Sequence, residues 1–244
     1  MSLLRDTSLS AAQLYLTAPY VCSYLPDRLA CSQVVSPEFL AVPGAYSELV
    51  RCGFRRSGTL AYRPQCSSCR ACIPVRVDVA LFSPSRIQRR SRQRHGGMEI
   101  SLHGLSDKNE YFDLYRRYQM VRHPDGDVKG DGREQYRNFL LQSNADSMLV
   151  EFRDSGVLRM VSIVDILTDG LSSVYTFYEP NMAKASLGTY GILWQIDACL
   201  KLKLDYLYLG YWIKESKKMT YKTNFSSLQG LVHNKWQALP ACNF

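Results

Sequence analysis

Cys66, Cys69 and Cys72 stand in a C-x2-C-x2-C spacing, the densest run of potential metal ligands in the chain. Thiolate sulfur binds iron and zinc. Three sulfurs this close suit the irons of a cluster better than one tetrahedral zinc, whose knuckles come in separated pairs. The run lacks the x3-Cys-Pro of a ferredoxin-type loop, so a fourth ligand has to be remote. The alternative is a tight loop of reduced thiols. Cys31, Cys52, Cys199 and Cys242 read as ordinary.

Arginine is the second chemically loaded residue. Of the 244 residues, 30 are Lys or Arg and 22 are Asp or Glu, a net charge of +8. Residues 1–98 hold 13 basic and 5 acidic residues, and all 13 are Arg; the remainder is balanced at 17 and 17. Arg grips phosphate and carboxylate with a planar fork, whereas Lys is a point charge. An anionic partner is therefore expected, most simply a nucleic acid, with a solvated basic face as the alternative. Arg86, Arg89, Arg90, Arg92 and Arg94 fall in one helical stretch and cover most of its circumference, which suits a phosphate groove.

Positioning these residues takes two parts. Residues 1–98 read as a Cys- and Arg-rich domain, extended at 14–25, helical near 45–52, a ribbon at 54–63, a strand at 73–82 and a helix at 86–95. Ser83-Pro84 supplies that helix with an N-cap and N1 pair, and Gly96-Gly97 ends it. Residues 99–244 read as a second domain. It opens on a strand at 98–102 and a helix capped by Ser106, followed by a Gly/Asp-rich loop at 123–132 and a helix at 133–142. Strands at 148–153, 157–167 and 171–178 form a meander, then a helix at 189–203 and a strand at 206–211 close the unit. The fold class is α+β, the second part a mixed sheet with helices. No apolar run approaches the roughly 18–20 residues of a membrane span. The start, MSLLRDTSLS, has no apolar signal region, so a cytoplasmic protein without disulfides is expected.

The element order of the second part resembles the acyltransferase fold of acetyl-CoA-dependent N-acetyltransferases. There the last meander strand splays from the strand after the helix, and the gap holds an acyl donor. Here the helix opens with Ser186, Leu187, Gly188, Thr189, Tyr190 and Gly191. Its free N–H groups and dipole make an anion site, although turn glycines alone explain a Gly pair. No Gln or Arg leads the loop, which argues against coenzyme A. An arginine-rich annex argues for an RNA-linked donor.

Longer segments carry a second resemblance. CSYLP at 22–26 and RCGFRRSGTLAYRPQCSSCRACIPVRV at 51–77 are similar to the N-terminal domain of the aminoacyl-tRNA–protein transferases. VYTFYEPNMAKASLGTYGILWQIDAC at 174–199 and YLYLGYWIKESKKMTYKTNF at 206–225 resemble their C-terminal domain. The CSYLP start and cysteine loop look like the bacterial aspartate/glutamate leucyltransferase branch. This resemblance implies transfer of leucine from leucyl-tRNA to proteins beginning with Asp or Glu, marking them for N-end rule degradation. It favours Cys22 as the fourth ligand of an iron–sulfur or zinc site. It implies no cofactor for the chemistry itself, and neither DNA nor membrane as a partner.

That chemistry asks for little beyond orientation. An α-amine with a pKa of roughly 7.7–8 is already partly neutral near pH 7. The enzyme must hold amine and ester together, remove one proton and stabilise an oxyanion. Asp165, alone in an apolar strand, is either the base or a structural hydrogen-bond anchor. Tyr175, Thr176, Tyr178, Tyr208 and Tyr211 lie on the two splaying strands and either orient the ester and terminal adenosine or belong to the core. Selection of an acidic residue needs a cation, and Arg76, Arg55 and Arg56 are candidates, with Lys217, Lys218 and Lys222 at helical spacing behind them. Arg86, Arg89, Arg90, Arg92, Arg94, Ser186, Gly188, Thr189 and Tyr190 are the expected tRNA contacts. Arginyl-tRNA as donor, an acetyl-CoA acyltransferase and a non-catalytic RNA-binding protein with a metal knuckle are the competing readings.

Overall fold

The computed structural model describes residues 12–122 and 132–239, without the side chains of 183–185. The expected loop at 123–132 lies outside these residues except for Gly132, as does Cys242. The N-terminal part is built from β1 (Leu14–Leu16), β2 (Tyr20–Val21), β3 (Leu29–Ala30), β4 (Ser32–Val35), α1 (Pro37–Leu40), α2 (Ala45–Arg51), β5 (Arg55–Ser57) and β6 (Leu60–Pro64). A four-stranded sheet takes the order β1-β4-β6-β5, and β2 and β3 pair separately.

The chain then enters an eight-stranded sheet through β7 (Ile73–Asp78), followed by α3 (Arg86–His95), β8 (Glu99–His103), α4 (Asn109–Arg122) and α5 (Arg133–Tyr136). The helix expected at 133–142 changes after α5 into a π-helical turn at Arg137–Leu141. The meander is β9 (Ser147–Asp154), β10 (Val157–Ile166) and β11 (Gly170–Tyr178). Then come α6 (Leu187–Leu202), β12 (Tyr206–Trp212) and the hairpin β13 (Leu228–Val232) and β14 (Lys235–Ala238). The sheet order is β14-β13-β7-β12-β11-β10-β9-β8. β7 and α3, both on the N-terminal side of residue 98, are thus part of the larger layer: α3 lies on α6 through Arg92–Asp197 and His95 against Tyr190. The architecture is mixed α+β.

β10 reads as nearly continuous apolar sequence because both its faces are covered. Val161 and Ile163 join Tyr111, Phe112, Leu114 and Tyr115 of α4 in one core cluster. Met160 and Val164 join Leu193, Ile196 and Cys199 of α6 in another. A third cluster joins the N-terminal sheet and α2 to Leu167 and Tyr208. The β9–β10 turn carries Ser155 and Gly156 at φ 51° and 77°, the doubly left-handed conformation that matches strand twist. The cap of α3 corrects the expected one. Ser85, not Ser83, accepts from the Gln88 amide while the Gln88 side chain returns to the Ser85 N–H, a reciprocal box that Ser83 cannot form.

β11 and β12 run parallel but pair only over Gly170–Ser172 and Tyr206–Tyr208. Beyond that point they separate. A register shift between Tyr208 and Gly210, with Gly210 at φ +74°, breaks the β12 ladder with β7 at the same level. A backbone gap opens between Ser173–Tyr178 on one side and Leu209–Trp212 on the other.

Candidate active site

Arg55 fills the mouth of this gap. Its Nη2 donates to the carbonyl oxygens of Ser173 at 2.9 Å and Val174 at 3.0 Å, groups that β12 would have met had pairing continued. The guanidinium lies on the backbone of Gly210, where an added Cβ would stand 1.7 Å from Nη1. Opposite, Lys222 in the 3-10 turn Lys217–Asn224 is buried and donates through Nζ to the carbonyl of Tyr211. The carbonyls of both separated strands are thus met by a basic side chain.

No carboxylate answers either charge: among the described residues neither Arg55 nor Lys222 has an ion-pair partner. Arg55 Nε and Nη1 also have no protein acceptor among those residues. Burial, then the Arg55 charge, holds the Lys222 ammonium well below its ordinary value. Phenols complete the wall. Tyr211 donates to the carbonyls of Gly53 at 2.8 Å and Tyr62 at 3.2 Å, and packs on the Tyr62 ring at 6.3 Å. Tyr24, Tyr62 and Tyr211 all have pKa values raised first by burial.

The other expected cations are otherwise engaged. Arg56 forks onto Asp165 through Nε and Nη2, the shortest contact being 2.9 Å, and caps the carbonyls of Gly58 and Gln142 through Nη1. Arg76 is sandwiched 3.4 Å above the Tyr206 ring and 4.4 Å from that of Trp236. It donates to Gln229 and to the Tyr208 hydroxyl. Both guanidiniums are buried, with no fork turned to a ligand. Lys217 and Lys218 are exposed, apart from Lys222 on the same turn.

Asp165 is fully buried. Its carboxylate accepts from Arg56, from the Tyr46 hydroxyl at 2.8 Å and from the Ser147 hydroxyl at 2.6 Å. A base here would first have to break that set, which has the form of the structural anchor. Thr176 shares a hydrogen bond with Ser162 at 2.9 Å, Tyr175 accepts from Gln119 at 3.0 Å, and Tyr208 donates to Asp169 at 3.0 Å. These hydroxyls are committed to the fold.

Tyr178 sits differently. Its hydroxyl takes Arg122 Nη2 at 3.0 Å, its ring packs on Tyr118 at 5.0 Å, and the Cβ that Gly188 lacks would stand 3.1 Å from Cε1. The first turn of α6 therefore meets the end of β11 across a ring. Ser186 enters α6 left-handed at φ 58° without capping by its side chain, Thr189 is partly exposed, and Tyr190 is buried against His95 and Phe152.

On α3, Gln88, Ser91 and His95 form the buried face, and Gln88 also holds the Asn224 carbonyl at 3.1 Å. Arg86, Arg89, Arg90 and Arg94 are exposed, whereas Arg92 pairs with Asp197 at 2.6 Å. The arginines thus occupy the helix outside that buried face.

Cys22, Cys66, Cys69 and Cys72 line one mainly apolar cavity of about 350 Å³, shared with Tyr20, Tyr24, Tyr62 and Tyr211. Burial, then the neighbouring thiols of Cys22, Cys66 and Cys69, pushes Cys72 up to about 12. The Ala71 backbone N–H, aided by Arg28, lowers Cys69. Among the described residues no three His, Cys, Asp or Glu side chains are arranged to hold a metal ion. The donor types suit a thiolate site, but the sulfurs as placed do not form its ligand set.

Sequence reasoning passed over Tyr24, Tyr46, Tyr62, Arg122 and Gly210. Gly210 alone carried a signal, since an isolated glycine in a strand marks a bulge or a close backbone approach.

The chain matches the arginine-tRNA–protein transferase N terminus over residues 20–90 and the C terminus of the same family over 110–232. It is 54% identical over 250 residues to an aspartate/glutamate leucyltransferase of Nitrosospira multiformis, covering 100% of both chains. A protein of the same name from Thiobacillus denitrificans is 55% identical over 229 residues, covering 94% of this chain and 95% of the relative. One from Methylobacillus flagellatus is 51% identical over 239 residues, at 98% and 96% coverage.

Proposed function

The chain belongs to the arginine-tRNA–protein transferase family of acyl-transferring enzymes, and from that premise we propose that it moves leucine from leucyl-tRNA onto the N-terminal α-amine of proteins beginning with Asp or Glu. Full-length similarity to proteins named for that activity supports the donor and the acceptor. The observation that carries the acceptor reading is the pairing of Arg55 and Lys222 in the gap. Arg55, with two unused donors, and Lys222, without a carboxylate, set two basic side chains against the separated strands, where a carboxylate can be taken up. Charge-assisted bonds to a fork in a partly dry pocket select a carboxylate over an amide.

The splayed strands then work as they do in acyltransferase-like sheets. The gap between β11 and β12 receives the aminoacyl ester, and the α6 N-terminus with Tyr178 lies beside the donor's terminal phosphates. The α-amine attacks the ester carbonyl, the C–N bond forms, the bond to the ribose oxygen breaks, and the 3′-terminal hydroxyl leaves with a proton. Arg86, Arg89, Arg90 and Arg94 contact the tRNA backbone. Asp165 and Arg56 anchor the N-terminal sheet onto β10, and Arg76 braces β7 against β12 and β14. We place the reaction in the cytoplasm, where charged tRNA is made, and divide the work between residues 1–98 and 99–244. Bound metal at Cys22, Cys66, Cys69 and Cys72 would tie the segment at 22 to the entry of β7.

The reading is tested with purified protein, labelled leucyl-tRNA or arginyl-tRNA, and peptides beginning with Asp, Glu, Asn or Gln. Label enters only the Asp and Glu peptides, and only from leucyl-tRNA. Label in the amide peptides would remove Arg55 and Lys222 as the selector; label from arginyl-tRNA alone would reassign the donor.

A further inference from the structure

The two basic side chains in the gap pose a proton question that the acceptor reading leaves open. Arg55 is charged at any working pH. Lys222 is buried, lies against the carbonyl of Tyr211, and is one peptide unit from Gly210, on which the Arg55 guanidinium rests. A second charge beside Arg55 is opposed both by burial and by repulsion, and no carboxylate relieves it. The titratable groups nearest the pair include Tyr24, Tyr46, Tyr62 and Tyr211 near Arg55 and Tyr221 beside Lys222; behind them stand Cys72 and Arg63 at Tyr211, the Asp165–Arg56 pair at Tyr46, and Tyr178 at Tyr221. The five nearest phenols are held above the ordinary phenol value, first by burial, so none of them supplies negative charge near neutrality. Lys217 and Lys218 on the same turn face solvent.

An N-terminal Asp or Glu brings two charges of its own, an α-ammonium and a side-chain carboxylate a few ångströms apart. We propose that Lys222 receives the α-ammonium proton of the acceptor and, once charged, joins Arg55 in holding that same residue's carboxylate. This rests on the gap being the acceptor site. The balance is internal: the N–H bond of the ammonium breaks, its electron pair becomes the nucleophile, and the proton forms the third N–H bond of Lys222. No water or metal is consumed; Lys222 is the base, and it gives the proton up to solvent when the leucylated product leaves and takes the compensating carboxylate with it. The lysine is charged only when a carboxylate is there to offset it. An amide acceptor offers no such compensation, so it is rejected in both binding and activation. Specificity and nucleophile generation become one event.

Two measurements test this. Leucyl transfer to an Asp-initiated peptide is followed from about pH 6 to about pH 9 for the wild type and Lys222→Arg. Below the α-amine pKa of roughly 7.7–8 the wild-type rate falls less steeply than that of the variant, which drops about tenfold per pH unit with the neutral-amine fraction. Superimposable profiles overturn the proposal. The second measurement needs no variant and stands if Lys222→Arg fails to fold. Binding to wild type is followed by calorimetry in two buffers of different ionisation enthalpy, for the Asp peptide and for its desamino analogue, which keeps the carboxylate and lacks the amine. The analogue takes about one proton from buffer, and the Asp peptide, which supplies its own, takes none. Equal proton exchange by the two ligands overturns the proposal. Wild-type protein that transfers no leucine at any pH overturns the acceptor reading beneath it; transfer with an unaltered pH profile overturns only the role of Lys222.

Discussion

Gly210→Ala is the most economical perturbation of the gap. The new Cβ would stand 1.7, 2.3 and 2.7 Å from Nη1, Cζ and Nε of Arg55. Ordinary contact begins near 3.4 Å, so the guanidinium, the free end of a flexible chain, retreats by about 1.7 Å. That breaks its 2.9 and 3.0 Å bonds to the Ser173 and Val174 carbonyls. Hydrogen bonds to a charged group contribute about 1.5–3 kcal/mol each, and water recovers part of that at a half-buried site. We take about 2–3 kcal/mol for the pair. A side chain at φ +74° adds about 1–2 kcal/mol of backbone strain. Gly156→Ala isolates the strain, because Gly156 has φ +77° and nothing within 4 Å of its added Cβ. Chemical denaturation is expected to place Gly210→Ala about 2–3 kcal/mol below Gly156→Ala. If Arg55 selects the acceptor, loss of one charge-assisted bond to its carboxylate, about 1.5–3 kcal/mol, lowers kcat/KM for an Asp peptide about ten- to a hundredfold in Gly210→Ala and leaves it unchanged in Gly156→Ala. Equal stabilities with full transfer in both variants would refute the argument that Gly210 exists to seat Arg55.

Asp165→Asn leaves the buried Arg56 uncompensated and is expected to cost about 3–5 kcal/mol by thermal or urea unfolding; loss of transfer at unaltered stability would instead make Asp165 the base. Replacing Arg86, Arg89 and Arg90 together with Gln should shallow the log–log salt dependence of tRNA binding by about 2–3 units, and an unchanged slope would take α3 out of the interface. Arg92→Gln should change that slope less than any of the three, since Asp197 already neutralises Arg92. The Lys222 pKa is lowered on folding, so the unfolded chain binds the extra proton between that value and about 10.5, and stability rises with pH across this window. Buried phenols and thiols titrate in the same window, so the Lys222 contribution is read as a difference: the urea midpoint of the wild type relative to Lys222→Met should rise across it, and a pH-independent difference would place Lys222 in water.

Local punctuation carried far in the sequence. The α3 span 86–95 is bounded as expected because serines and a Gly pair mark its ends, although the cap moved to Ser85, where Gln88 could reciprocate. The meander was legible from its turns and from the apolar run of β10. Side-chain destinations were less so. Arg55 and Arg56 are neighbours on β5 and must point to opposite faces. Nothing local says that one face meets Asp165 and the other an open gap, since both partners lie more than a hundred residues away. Arg76 looked like a free fork because the rings that enclose it, Tyr206 and Trp236, arrive from distant strands. The residues at 228–238 carried no expectation, and β13 closes one side of β7 there.

The gap between β11 and β12 is proposed to join leucine to an acidic N-terminus by charge. One intact-mass spectrum tests it most directly. The wild-type protein is given leucyl-tRNA and arginyl-tRNA together with an equimolar pair of peptides that differ only in Asp or Asn at the first position. A single new species is expected, the Asp peptide extended by one leucine. Leucine on both peptides, or arginine on either, would contradict it.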